Sequence, residues 1–215
     1  MNWKEVCFLG LLVSFLGFLP SAALAGSIPA ITISNTTGAG LGNPPFTLGW
    51  QFTTNKQISV TNLGIFDDSL NGLADSYQVG IWNSSGTLLG SATVLSGTAD
   101  PLVNQFRYAA VSGGPITLAA GQTYEIGALY LDGNDGLIFP GSATGFSSAP
   151  FITFDQSSYF IGGTLRDPTF TSGPAPSYFG PNFEAVAATP EPSSLILFGT
   201  SILGLVPLRR KLLGR

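Results

Sequence analysis

Acidic side chains hold most of the chemistry open to this chain. The run Asp132-Gly133-Asn134-Asp135-Gly136 places Asp132, Asn134 and Asp135 on one glycine-bounded turn. That spacing suits a hard cation such as calcium, which draws several oxygen ligands from a short loop. The same residue types also build an ordinary hairpin turn, and no bidentate glutamate follows, because Leu137-Ile138-Phe139 come at once. Asp67, Asp68 and Asp75 form a second acidic loop around Asn71-Gly72. Two carboxylates can cleave a glycosidic bond when they face each other. Here Asp67 and Asp68 are neighbours, which point to opposite faces of an extended chain, and Asp132 and Asp135 share a turn. The chain has no His, and its single Cys is Cys7. This removes His acid–base pairs, His/Cys zinc sites and Cys nucleophiles unless a partner supplies them. The expectation is a protein that is not an enzyme, with calcium the one cofactor to consider.

Aromatic residues offer a second chemistry, the stacking of sugar rings. Tyr77, Val79 and Ile81 take the apolar phase of their strand, which leaves Trp82 on the opposite face as a candidate glycan platform. The stretch from Phe146 to Phe183, rich in Phe, Tyr, Ser, Gly and Pro, reads either as an aromatic loop region or as an irregular edge packed on the domain. Nucleic acid is not expected. Between Gly26 and Thr189, eight Asp and two Glu face only Lys56, Arg107 and Arg166, whereas phosphates need a basic surface.

These residues must be positioned by strands. Phe46, Leu48, Trp50 and Phe52 alternate with Thr47, Gly49, Gln51 and Thr53, and the same period recurs in Tyr77–Ile81 and Tyr124–Tyr130. A period of two marks strands with one buried face. Turn formers separate them, as in Asn83-Ser84-Ser85-Gly86, Ser112-Gly113-Gly114-Pro115 and Ala119-Ala120-Gly121-Gln122. The expected fold is all-β, an antiparallel jelly-roll-like sandwich of roughly eight to ten strands spanning residues 26–189. Between Val60 and Leu63 the apolar phase slips, which predicts a bulge near Asn62.

The two ends read as addresses. Residues 1–25 combine Lys4, an apolar run from Val6 to Leu19 and the ending Ala23-Leu24-Ala25, the pattern of a secretory signal peptide cut after Ala25 by signal peptidase. An uncleaved anchor is the alternative. Cleavage would remove Cys7, so the mature protein would have no thiol chemistry. At the other end, Pro190-Glu191-Pro192 precedes an apolar run from Leu195 to Leu208 and the basic Arg209-Arg210-Lys211. At ~1.5 Å per residue the run makes a short span, with the basic tail held on the cytoplasmic side. Both prolines favour extended backbone over residues 189–192, a shape that suits a protease cleft.

This ordered set resembles the PEP-CTERM sorting signal of Gram-negative bacteria, here over residues 190–215. The resemblance implies recognition by an exosortase, a membrane-embedded transpeptidase-like enzyme that cuts near the motif. The protein would then be released to the cell envelope or exterior, often beside exopolysaccharide. A plain, unprocessed anchor is the alternative. Within the domain, Leu48-Gly49-Trp50-Gln51-Phe52-Thr53, Asn71-Gly72-Leu73-Ala74, Val79-Gly80-Ile81-Trp82 and Phe106-Arg107-Tyr108 resemble a β-sandwich domain of unassigned function that recurs in such proteins, over roughly Thr47 to Tyr130. The expected role is that of a structural or adhesive surface protein; the alternative is a glycan- or calcium-binding module.

Overall fold

The alternation of Leu48, Trp50 and Phe52 against Thr47, Gly49 and Gln51 decides which side of their strand turns inward, and the other strands follow the same rule. The computed structural model describes residues 26–42, 45–139, 141–173 and 178–187. The signal-peptide site at Ala23 and Ala25, the Pro190-Glu191-Pro192 motif, the apolar run 195–208 and the basic tail Arg209-Arg210-Lys211 lie outside the described residues. Among those residues the protein is all-β, with no α-helix and no helix long and apolar enough to cross a membrane.

In chain order the strands are β1 (Ile28–Pro29), β2 (Ile31–Thr32), β3 (Phe46–Thr54), β4 (Ile58–Phe66), β5 (Tyr77–Asn83), β6 (Leu88–Val94) and β7 (Leu102–Val103). They continue with β8 (Phe106–Ala110), β9 (Ile116–Leu118), β10 (Thr123–Tyr130), β11 (Ser147–Ser148), β12 (Ile152–Ile161), β13 (Phe170–Gly173) and β14 (Pro181–Ala187). One six-stranded sheet runs β1-β14-β4-β8-β7, with β9 also pairing β4, and a second runs β13-β12-β3-β10-β5-β6. The small pair β11-β2 stands apart.

The two sheets share one core. Leu48, Trp50, Phe52, Val79, Ile81, Ile126 and Ala128 from the second sheet join Ile58, Val60, Leu63, Ile65, Phe106 and Phe183 from the first. Trp50 bridges the layers: its ring stacks on Phe183 at 5.9 Å and 17°, and its Nε1 donates to the Pro181 carbonyl at 2.9 Å. The expected bulge is present. Asn62 pairs with Glu184 and Val60 with Ala185, which leaves Thr61 as the extra residue of β4.

The late aromatic stretch packs on the domain, and it does so as regular structure. β12 pairs with β3 along nearly its whole length, while Phe146, Phe154 and Phe179 gather around the outer part of Trp50.

The expectation of strands buried on one face needs correction in the second sheet. Gly49, Gly127 and Gly80 sit side by side on β3, β10 and β5, at polar-phase positions. That row leaves space against the outer face, and two rings fill it. A methyl at Gly80 would lie 2.7 Å from the Trp82 ring, and one at Gly127 would lie 3.2 Å from Pro168. The loop between β12 and β13 is thus strapped over the sheet, its Arg166 backbone N–H donating to Thr47 Oγ1 at 3.3 Å.

Candidate functional site

The two acidic loops meet at one end of the two sheets. β4 ends at Phe66, β5 begins at Tyr77 and β10 ends at Tyr130, so the segments 67–75 and 132–136 leave the sheets side by side. Asp67 turns inward, fully buried, and takes Arg107 Nε at 2.6 Å. Its two oxygens also accept the Gly72 N–H at 3.0 and 3.1 Å. This bond curls the loop tightly enough to put Ser69 and Leu70 at φ 66° and 58°, a left-handed conformation that costs a non-glycine residue roughly 1 kcal/mol or more. Ser69 N–H donating to Thr36 at 2.8 Å and Gly38 N–H donating to Asp68 Oδ1 at 2.8 Å hold it there.

Asp135 is the second organiser. Only 4% exposed, its carboxylate accepts from Ala74 N–H at 2.9 Å, Asp75 N–H at 3.3 Å and the Tyr77 hydroxyl at 2.7 Å. Burial, reinforced by this bond to Asp135, pushes the Tyr77 hydroxyl far above its ordinary range. Asn134 Nδ2 donates to Asp75 Oδ2 at 2.8 Å and closes the contact between the loops. Between them lies a cleft of about 340 Å³ lined by Asp68, Ser69, Asn71, Gly72, Ala74, Asn134 and Asp135, at the small end of the range for ligand pockets.

The three members of the expected calcium loop are each engaged within the chain. Asp132, Asn134 and Asp135 do not converge: Asp135 faces inward onto N–H donors, Asn134 reaches Asp75, and Asp132 Oδ1 accepts the Asn134 N–H at 3.3 Å. Among the described residues no three acidic side chains gather around a cation-sized space. A buried Asp surrounded by unpaired backbone N–H groups is worth more as an acceptor than as a ligand.

Trp82 is corrected. It does lie on the face opposite Tyr77, Val79 and Ile81, but it is 4% exposed, folded back over Gly80 beside Leu88. No sugar can stack on it.

Next to Trp82 lies a feature the sequence reading missed. Glu125 pairs in register with Trp82 on one side and Gln51 on the other. Its carboxyl accepts from Gln51 Nε2 and Ser158 Oγ, each at 2.8 Å, and Gln51 is in turn bonded by Gln156 at 3.1 Å. Burial pushes its pKa up to about 7, the two hydrogen bonds opposing and Asp167 and Asp155 adding to the rise. Asp167, on the strap, is itself pushed up by burial. The signal was present in the sequence as three glycines on the polar phase of adjacent strands, which says that something lies on that face.

At the same sheet's edge, Phe170 is 50% exposed. It stacks on Phe160 at 6.1 Å and 17°, and the Arg166 guanidinium sits 5.9 Å from the Phe160 ring centre.

Residues 34–174, more than half of the chain, match the family model described as a domain of unknown function, DUF4082. The chain belongs to the DUF4082 family. A search of curated proteins finds no match. The DUF4082 match runs past the stretch from Thr47 to Tyr130 on both sides and contains both acidic loops and the strap. It stops before β14, although this strand lies between β1 and β4 and carries Phe183 into the core. The fold of this DUF4082 member is therefore completed by a segment beyond the family match.

Proposed function

We propose that this chain is a non-enzymatic, exported bacterial surface or extracellular-matrix protein, sorted by an exosortase through Pro190-Glu191-Pro192. It consists of a signal peptide, one jelly-roll-like sandwich and a C-terminal anchor. The chain passes from one sheet to the other at β3/β4, β4/β5, β6/β7, β9/β10 and β13/β14, which supports the jelly-roll-like description.

The observation that carries the non-enzymatic reading is the state of the acidic groups. The carboxylates around the cleft accept from the chain's own donors: Asp68 from Gly38, Asp75 from Asn134 and Asp135 from Ala74, Asp75 and Tyr77. They act as struts for two loops. Sorting rests on the order of motif, apolar run and basic tail in the sequence. Mass spectrometry of the mature protein tests both ends. Cleavage after Ala25 and near Pro190 is expected, and Pro192→Ala should leave the C-terminal segment attached; normal release of that variant would end the exosortase reading.

A second reading, an adhesive module for glycan, is favoured by the Phe160, Phe170 and Arg166 group. A half-exposed ring stacked on a second ring suits the apolar face of a pyranose, and the adjacent guanidinium suits the carboxylate of an acidic sugar. Binding of the domain to an acidic glycan on an array, lost in Phe170→Ala, would establish it. Equal binding by wild type and variant would remove it.

A further inference from the structure

The two ends of the chain leave the sandwich at the same place. β14 runs from Pro181, opposite Ile65, to Ala187, opposite Ile58. β1 pairs antiparallel to it, Ile28 with Ala185 and Pro29 with Glu184, so Gly26 stands beside Ala187. Both lie at the end where β3 turns into β4, and the acidic cleft lies at the other, beyond Phe66 and Pro181. Seven residues of β14 separate the two ends, ~20 Å at 3.3 Å per residue.

Charge is divided the same way. The loops at the end near the termini, residues 55–57, 84–87, 119–122 and 149–151, contain one charged residue, the exposed Lys56. Asp155 and Asp167 are the nearest carboxylates, and both belong to the outer flank of the second sheet: Asp155 accepts from Thr53 Oγ1 at 2.8 Å, and Asp167 lies under the Gly86 turn. The far end carries Asp67, Asp68, Asp75, Asp100, Asp132 and Asp135 against Arg107, which is buried on Asp67, and Arg166, which lies beside Thr47 and Phe160 on the outer face, so it stays strongly acidic. An anionic lipid surface repels such an end within a Debye length, ~10 Å at 0.1 M salt.

Chain length adds a constraint. Seven residues, 188–194, separate Ala187 from Leu195, where the apolar run begins, a reach over eight steps of at most ~28 Å, and part of it must cross the lipid headgroup layer. To bring the acidic end to the membrane the tether would have to run back along the sandwich, whose nine-residue β3 is itself ~30 Å long.

We infer that, before processing, the end of the sandwich formed by residues 55–57, 84–87 and 119–122 is a membrane-apposed surface whose partner is an anionic phospholipid bilayer. The acidic cleft and its two loops then face outward. This rests on the anchor reading of residues 190–215, and it holds whether or not the first address is cleaved, because both tethers leave from one end.

The test uses the full chain carrying Cys7→Ser, reconstituted in vesicles of phosphatidylcholine and phosphatidylglycerol with an acceptor dye on the headgroups. One fluorophore is attached at Ala120→Cys, near the termini, or at Thr98→Cys, beside Gly72 at the acidic end. Energy transfer several-fold stronger from position 120 is expected, and a Gly/Ser segment inserted between Ala188 and Thr189 should abolish the difference. Equal or reversed transfer in the uninserted chain overturns the orientation while leaving the anchor intact. A difference that survives the insertion overturns the tether as its cause. Failure of the chain to stay with the vesicles overturns the anchor reading, and this inference with it.

Discussion

Replacing Glu125 by Gln should stabilise the protein above neutral pH and leave it nearly unchanged in acid. The carboxyl lies on a sheet face closed by Trp82 and by the Pro168 strap, where its bonds are to the neutral Gln51 and Ser158, with Asp167 and Asp155 nearby. Burial raises its folded-state pKa from the ordinary 4.5 to about 7. Between those values the folded protein holds a proton that the unfolded chain releases. This group's contribution to stability is therefore fully present below about pH 4.5 and is lost as pH rises through 7.

At ~1.4 kcal/mol per pH unit, a rise from 4.5 to about 7 corresponds to ~3 kcal/mol of destabilisation at pH 8. For a domain of this size that is roughly 6–12 °C in Tm. Gln preserves the shape and both hydrogen bonds, its Oε1 accepting from Gln51 and its Nε2 donating to Ser158, and it has no charge to desolvate. Thermal and urea melts of wild type and Glu125→Gln from pH 4.5 to 8.5 measure the effect. Asp167 is pushed in the same direction, so the difference between the two proteins isolates Glu125. That difference should grow from near zero at pH 4.5 to ~3 kcal/mol at pH 8. A difference that stays flat with pH, or that favours wild type at pH 8, would refute the burial argument.

Arg107→Met leaves Asp67 charged and unpaired in a fully buried site and should cost about 3–5 kcal/mol in urea titrations; adding Asp67→Asn should recover part of the loss. Gly127→Val drives a side chain into Thr47 and Pro168. It should cost roughly 1–3 kcal/mol, and by lifting the strap it should flatten the pH dependence assigned to Glu125. With Asp135 turned onto Ala74, Asp75 and Tyr77, millimolar calcium or chelator should move Tm by less than about 1 °C, since a ligand that does not bind the folded state does not stabilise it.

The strands were legible because their information is local. Phe46–Phe52, Tyr77–Ile81 and Tyr124–Tyr130 announce their inward faces by alternation alone, and each of these sets enters the core. The bulge was legible for the same reason, as one extra residue shifts the phase. Trp82 shows where that reasoning stops. Alternation correctly put it on the outer face, but exposure depends on what else lies there: the ring folds over Gly80 beside Leu88, and the strap that crosses the same face at Gly127 comes from residues more than eighty positions later in the chain. Asp135 shows the same limit. Its spacing suits a cation loop, yet its environment is set by Ala74 and Tyr77, sixty residues earlier by sequence and in contact only because β5 and β10 pair.

The amino-acid sequence by itself determined an all-β protein, the phase of its main strands, the acidity of its central domain and the two apolar ends with their flanking motifs, since all of these are properties of residues near one another along the chain. Tertiary structure alone decided that the two acidic loops form one cleft, that Trp82 and Glu125 are covered, and that both termini leave from the end opposite the acidic one. Those facts depend on which strands become neighbours and which loops cross them. Such pairings are long-range contacts, and the free energy that selects them comes from burying whole faces together, which no short stretch of sequence contains.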